Sequence, residues 1–171
     1  RGSRISFRYR GKNRAWVRTA IVDDELAEAM KELLVARGGR GPFRYRFEGS
    51  LRTLTGARLN DYIAEHMGEE FTAKDFRTWG GTLLAAVELA RQGPSESETE
   101  AKRVLAGVMR KVARELGNTP AVARASYVSP AVVEHYLAGR TLEDFRRKSP
   151  RPARLRADER ALLRLLRSHA R

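Results

Sequence analysis

Polar and apolar residues alternate along this chain with two different periods. Near the start the period is two, and Ile5-Ser6-Phe7-Arg8-Tyr9 and Ala15-Trp16-Val17-Arg18-Thr19 read as short strands. Arg10-Gly11-Lys12-Asn13 between them reads as a hairpin turn, because Gly and Asn tolerate positive φ. From Asp23 the period lengthens to that of a helix. Leu26, Ala29, Met30, Leu33 and Leu34 share one face of a helix over 23–37, closed by Gly38-Gly39. Pro42 to Phe47 reads as a short strand or loop. A second helix spans Thr55 to Met67, with Leu59, Tyr62 and Ile63 as its apolar stripe. Thr72 followed by Asp75 is close to a capping box, and it opens a third helix to about Gln92.

The remainder is helical. Gly93-Pro94 and the polar run 95–100 form a linker or helix start, whose acids suit the positive end of a helix dipole. A long helix then runs to Leu116 and stops at Gly117. Thr119-Pro120 and Ser129-Pro130 each set a capping hydroxyl before a proline at the first helical position. The second of these opens a helix over 130–138, and a short turn holds Leu142 and Phe145. After Arg146 come two prolines and a basic helix from about Asp158. Its Leu162, Leu163, Leu165 and Leu166 either pack back on the body or form an amphipathic face. With strands early and helices late, the class is mostly α with a small antiparallel β-hairpin at the N-terminus. The domain reading is a catalytic body over 1–146 and a basic tail over 147–171. An isolated hairpin needs a further strand or helix to be stable. Residue 1 is not Met, and a strand begins within four residues. The chain is therefore expected to be a fragment lacking an N-terminal portion.

Charge sharpens the picture. Residues 1–20 carry seven basic residues and no acid. Residues 21–145 carry 17 basic and 19 acidic residues, and residues 146–171 carry ten basic and two acidic. A near-neutral body with two basic ends is the layout of a fold that grips a polyanion at defined places; compositional drift towards arginine is the alternative. There is no cysteine, which excludes disulfides and thiolate metal sites. His66, His135 and His169 have no ligand-like spacing, so neither metal nor cofactor is expected. No apolar run approaches the roughly 18–20 residues of a membrane span. A soluble cytoplasmic protein, associated with the nucleoid, is the simplest expectation.

The chemistry sits in Lys74-Asp75-Phe76-Arg77-Thr78-Trp79-Gly80 and in Gly117-Asn118-Thr119-Pro120 followed by Tyr127. Arginine grips phosphate with a planar, permanently charged fork. Tyrosine is one of the few side chains that can attack phosphorus and hold it covalently. Together they suggest covalent phosphoryl transfer on nucleic acid. Taken singly the residues are ordinary: a core or surface tyrosine, a solvated turn lysine, an arginine paired with Asp75 or Glu88. Phe76 and Trp79 read as core.

Together with the hairpin Gly11-Lys12, these motifs resemble the C-terminal catalytic domain of type IB DNA topoisomerases, in the compact bacterial and poxvirus-like branch. Tyrosine recombinases share that fold. The resemblance runs from about residue 4 to 146. It implies that Tyr127 forms a 3′-phosphotyrosyl bond with DNA while Arg77 forks onto the phosphate and Lys12 protonates the leaving 5′-oxygen. It implies relaxation of supercoils without ATP, metal or other cofactor, on double-stranded DNA, by a protein that is usually a monomer. Asn118 stands where many relatives have histidine, so it can donate a hydrogen bond but carries no proton charge. Lys74, Thr78, Arg10 and Arg124 are expected to contact DNA. Recombinases usually carry His-x-x-Arg where this chain has Lys74-x-x-Arg77, which favours the topoisomerase. The family's first active-site arginine precedes the hairpin. If it is lacking, the rate is expected to suffer on the order of 10²–10³. The alternatives are a tyrosine recombinase and a DNA-binding module without catalysis.

Overall fold

The computed structural model describes residues 3–11, 16–35, 43–147 and 156–169. They fall into two compact units, Arg1–Ala73 and Lys74–Arg171.

In the first unit, strands β1 (Arg4–Arg10) and β2 (Trp16–Val22) pair antiparallel, with Ile5 opposite Ile21 and Arg10 opposite Trp16. Ile5, Phe7 and Val17 lie on the half-buried face, as alternation requires. The ladder is longer than the alternating residues alone suggest. It absorbs Arg10 into β1 rather than into the turn. Lys12 lies outside the described residues, as does the predicted glycine stop at 38–39. Helix α1 (Asp24–Val35) follows, its first turn held by Asp23 Oδ1, which accepts from the Leu26 N–H at 2.9 Å.

A second hairpin was not foreseen. Strands β3 (Arg44–Phe47) and β4 (Ser50–Thr53) pair through a two-residue turn, Glu48-Gly49, with φ of 48° and 76°. Two successive positive φ values match the twist of the flanking strands. Helix α2 (Gly56–Met67) is capped by the Thr55 hydroxyl, which accepts from the Arg58 N–H at 3.3 Å.

The second unit is a helical bundle. Helix α3 (Ala73–Gln92) starts just after Thr72, as expected, and is followed by α4 (Glu98–Leu116), α5 (Pro120–Ser126) and α6 (Pro130–Leu137). A 3₁₀ turn (Leu142–Phe145) and helix α7 (Ala157–His169) complete it. Ser97 caps α4 by accepting from the Glu100 N–H at 3.2 Å, and Thr119 caps α5 by accepting from the Val122 N–H at 3.3 Å. Gly117 ends α4 at φ 66°, a conformation that costs glycine no Cβ strain. One apolar core joins Leu89 of α3, Val112 of α4, Val132 of α6, Leu142, and Leu162 and Leu165 of α7. Leu162, Leu165 and Leu166 of the tail thus pack back on the body. Glu88 is the buried acid of this unit. Its carboxylate accepts from Arg91 at 2.6 Å and meets Lys111 of α4 at 2.9 Å. The Lys111 hydrogen bond holds it below the usual carboxylate range.

Candidate active site

The second unit brings three of the predicted residues together at the end of α4. Gly117 turns the chain, so Asn118 folds back and its Nδ2 donates to the carbonyl of Leu116 at 3.1 Å. The same carbonyl accepts from Arg77 Nη2 of α3 at 2.7 Å. The bond crosses 39 residues of sequence, so only the packing of α3 against the α4 terminus creates it. Arg77 Cζ in turn sits 5.1 Å from the centroid of the Tyr127 ring. An arginine has five N–H donors, so one bond to a carbonyl leaves most of its fork for an anion. Arg77 is exposed, while Tyr127 and Asn118 are half-buried. Arg77 does not pair with Glu88, whose carboxylate belongs to Arg91 and Lys111.

Tyr127 follows the last residue of α5, its N–H donating to the Ala123 carbonyl at 3.0 Å. Its own carbonyl accepts from the Thr82 hydroxyl of α3 at 3.3 Å. That hydroxyl also accepts from the Ser129 N–H at 3.1 Å. A Cβ at Gly81 would stand 2.6 Å from the Tyr127 carbonyl oxygen, so this approach of α3 needs a glycine. Gly81 and Thr82 were missed in the sequence. The adjacent glycines 80 and 81 inside an apolar helix were the available sign of a close backbone approach.

The other predicted residues are placed as follows. Thr78 Oγ lies 3.2 Å from the Lys74 carbonyl and 3.4 Å from the Ser126 carbonyl, so it contributes to packing against the α5 end. Lys74 and Arg124 are exposed on α3 and α5. Arg10 belongs to the first unit, where its guanidinium and that of Arg8 each lie 5.1 Å from the Trp16 ring. Trp79 packs on the core, but Phe76 is 55% exposed, contrary to its reading as core. Phe76 falls on the solvent side of α3, one position before Arg77. Among the described residues no cluster of three or more His, Asp and Glu could hold a metal ion. No helix among them is long and apolar enough to cross a membrane.

Residues 1–145 match the family described as the catalytic core of eukaryotic DNA topoisomerase I. A DNA topoisomerase 1B of Acanthamoeba polyphaga mimivirus is 31% identical over 140 residues, which is 77% of this chain and 41% of that protein. The chain thus spans less than half the length of this relative, and α7 lies beyond the family match. The family match covers most of the chain, including the positions of Arg77, Asn118 and Tyr127, and with this relative it shows that the chain belongs to the type IB DNA topoisomerases.

Proposed function

We propose that this chain carries the nucleophile and part of the phosphate clamp of an enzyme that relaxes supercoiled DNA. The Tyr127 oxygen attacks a backbone phosphorus, the P–O5′ bond breaks, and a 3′-phosphotyrosyl bond remains. The phenolic proton leaves to solvent, and Lys12 gives a proton to the departing 5′-oxygen as general acid. Arg77 neutralises the charge that builds on the non-bridging oxygens, with Asn118 donating a hydrogen bond beside it. After the strand has rotated, the 5′-hydroxyl returns its proton and attacks the phosphotyrosine, restoring the phosphodiester. One phosphodiester is exchanged for another of similar energy, so no ATP is called for, and Arg77 supplies the positive charge that a metal would otherwise bring to the phosphorane. The partner is double-stranded DNA, and the protein acts as a monomer.

The observation that carries this reading is the Arg77 guanidinium 5.1 Å from the Tyr127 ring. It gives a phosphate attacked by that phenol a cation within reach. The apolar face of α7 supports relaxation over recombination. Leu162 and Leu165 are spent in the chain's own core, not left to join a multimer.

The test is trapping of a covalent protein–DNA adduct on a nicked suicide substrate in EDTA, on this chain and on an N-terminally extended form. An adduct is expected with the native residue and none with Tyr127→Phe, and plasmid relaxation then separates topoisomerase from recombinase. Absence of adduct from the extended form would leave a DNA-binding module and sink the catalytic reading.

A further inference from the structure

We propose that Thr82 is a positioning residue for Tyr127, holding the main chain that leaves the phenol, from the Tyr127 carbonyl to the Ser129 N–H, so that the phenol oxygen points along the line of attack. The proposal rests on the reading of Tyr127 as nucleophile. Tyr127 is the C-cap of α5, and its N–H makes the last i→i−4 bond of that helix, to the Ala123 carbonyl at 3.0 Å. Helix α5 ends at Ser126 and α6 begins at Pro130, so Val128 and Ser129 link the two helices beyond that last turn. Pro130 has no N–H to contribute. Ser129, the N-cap of α6, makes no capping hydrogen bond with its own hydroxyl.

Thr82 supplies what the linker lacks. It is 3% exposed, and its single hydroxyl serves two backbone groups. Oγ donates to the Tyr127 carbonyl at 3.3 Å and accepts from the Ser129 N–H at 3.1 Å. A helical threonine more often bonds the carbonyl four residues back, as Thr78 does with Lys74 at 3.2 Å. Thr82 turns outward instead. Gly81 beside it clears the space for the Tyr127 carbonyl. Arg77 comes from the preceding turn of the same helix. The position of the phenol and the position of the phosphate-gripping cation are therefore both referred to α3, and their relation does not depend on the linker's own stiffness. In-line displacement is sensitive to such alignment, and a misplacement well below 1 Å lowers the rate without weakening the grip on DNA.

Two readouts test this in the longest form of the protein that gives adduct. Thr82→Val keeps the side-chain shape and removes the hydroxyl; Thr82→Ser keeps the hydroxyl. At saturating DNA, Thr82→Val is expected to slow the first-order rate of adduct formation about tenfold. Its DNA dissociation constant should stay within about twofold of the native value, and Thr82→Ser should recover most of the rate. Hydrogen exchange at the Ser129 amide should be about tenfold less protected in Thr82→Val and unchanged in Thr82→Ser. Thr82→Ala carries the same expectations should circular dichroism find Thr82→Val poorly folded. Native Ser129 protection in Thr82→Val removes the clasp whether or not the protein cleaves DNA. A native rate in Thr82→Val overturns the positioning role, as does a serine variant as slow as the valine one or a loss of DNA affinity equal to the loss of rate. If the native protein gives no Tyr127-dependent adduct, the nucleophile reading falls, and the Ser129 exchange then reports the clasp alone.

Discussion

Residues 74–171 and residues 1–73 are stabilised in different ways. The helical unit converges on one core in which Leu162 is fully buried and Leu89, Leu142 and Leu165 are each 1% exposed. In the hairpin unit the buried apolar residues among those described are Ala27, Met30 and Ile63, while Leu34 is 65% exposed. What the hairpins lack in core they replace with main-chain pairing and exposed cation–aromatic stacks. Arg52 lies 4.7 Å and Arg58 5.8 Å from the Phe47 ring, and Arg58 Nε donates to the Tyr45 oxygen at 3.3 Å. Such stacks contribute roughly 0.5–1 kcal/mol at exposed sites, against roughly 2–5 kcal/mol for a buried leucine. The residues read as nucleophile and clamp occupy the densely packed unit, where the main chain can be held. The hairpin unit, with fewer buried apolar residues among those described, should open locally more easily.

That contrast can be broken most directly in the core. Leu162→Ala is expected to cost about 3 kcal/mol in urea unfolding, by transfer and cavity terms together. Leu34→Ala on α1 should stay within about 0.5 kcal/mol, since the side chain is already in water. Similar losses at the two positions would erase the distinction between the units.

Gly81→Ala should cost about 1–3 kcal/mol, because a methyl at 2.6 Å from the Tyr127 carbonyl forces α3 away from the linker. It should also slow adduct formation. Unimpaired cleavage in Gly81→Ala would mean that the approach is not needed for the site.

Acid should act on the helical unit chiefly through two buried titratable groups, His135 and Glu88. His135 is 4% exposed, and burial lowers its pKa from the ordinary 6.5, with Arg140 and His169 acting in the same direction and Glu134 and the Leu165 main chain opposing. The neutral form is the one that fits, so its contribution is complete above 6.5 and is lost as pH falls towards the depressed folded value. Glu88 is lowered from 4.5 chiefly by Lys111, so its contribution is complete above 4.5 and is lost further into acid. The melting temperature should therefore fall in two stages from neutral pH downward. In Glu88→Gln the lower stage should flatten while the upper remains. A curve unchanged by that substitution would show that the buried pair does not govern acid stability.

The smallest effect belongs to the hairpins. Phe47→Leu should cost about 0.5–1 kcal/mol, since it removes the ring beneath two guanidiniums and keeps the apolar volume. A cost above that of Leu162→Ala would place a core where the structure has a surface stack.

Local signals were enough for most elements. Period-two alternation located both strands of the first hairpin, helical spacing located α1 and α2, and the Thr72–Asp75 pair and the 95–100 run with the Gly117 stop marked α3 and α4. The hydroxyl–proline pairs marked the starts of α5 and α6. The second hairpin escaped because its strands are only four residues long and its turn is Glu48-Gly49, a weaker sign than Asn-Gly. Arg77, Asn118 and Tyr127 were legible as types in an order and spacing. Thr82 was not, because one threonine inside a helix says nothing about where its hydroxyl points.

By itself, then, the sequence determined most of the elements, the basic ends and the residue types able to move a phosphoryl group, because these depend on neighbours within a turn or a strand pair. Tertiary structure decided what lies far apart in sequence. It gave the Leu116 carbonyl to Arg77 across 39 residues and the Tyr127 carbonyl to Thr82 across 45. It also sent Leu162 and Leu165 of α7 into the core rather than onto a surface. A hydrogen bond or a buried methyl is settled by which helices approach, and that is fixed by the packing of the whole unit, to which each residue contributes only a part.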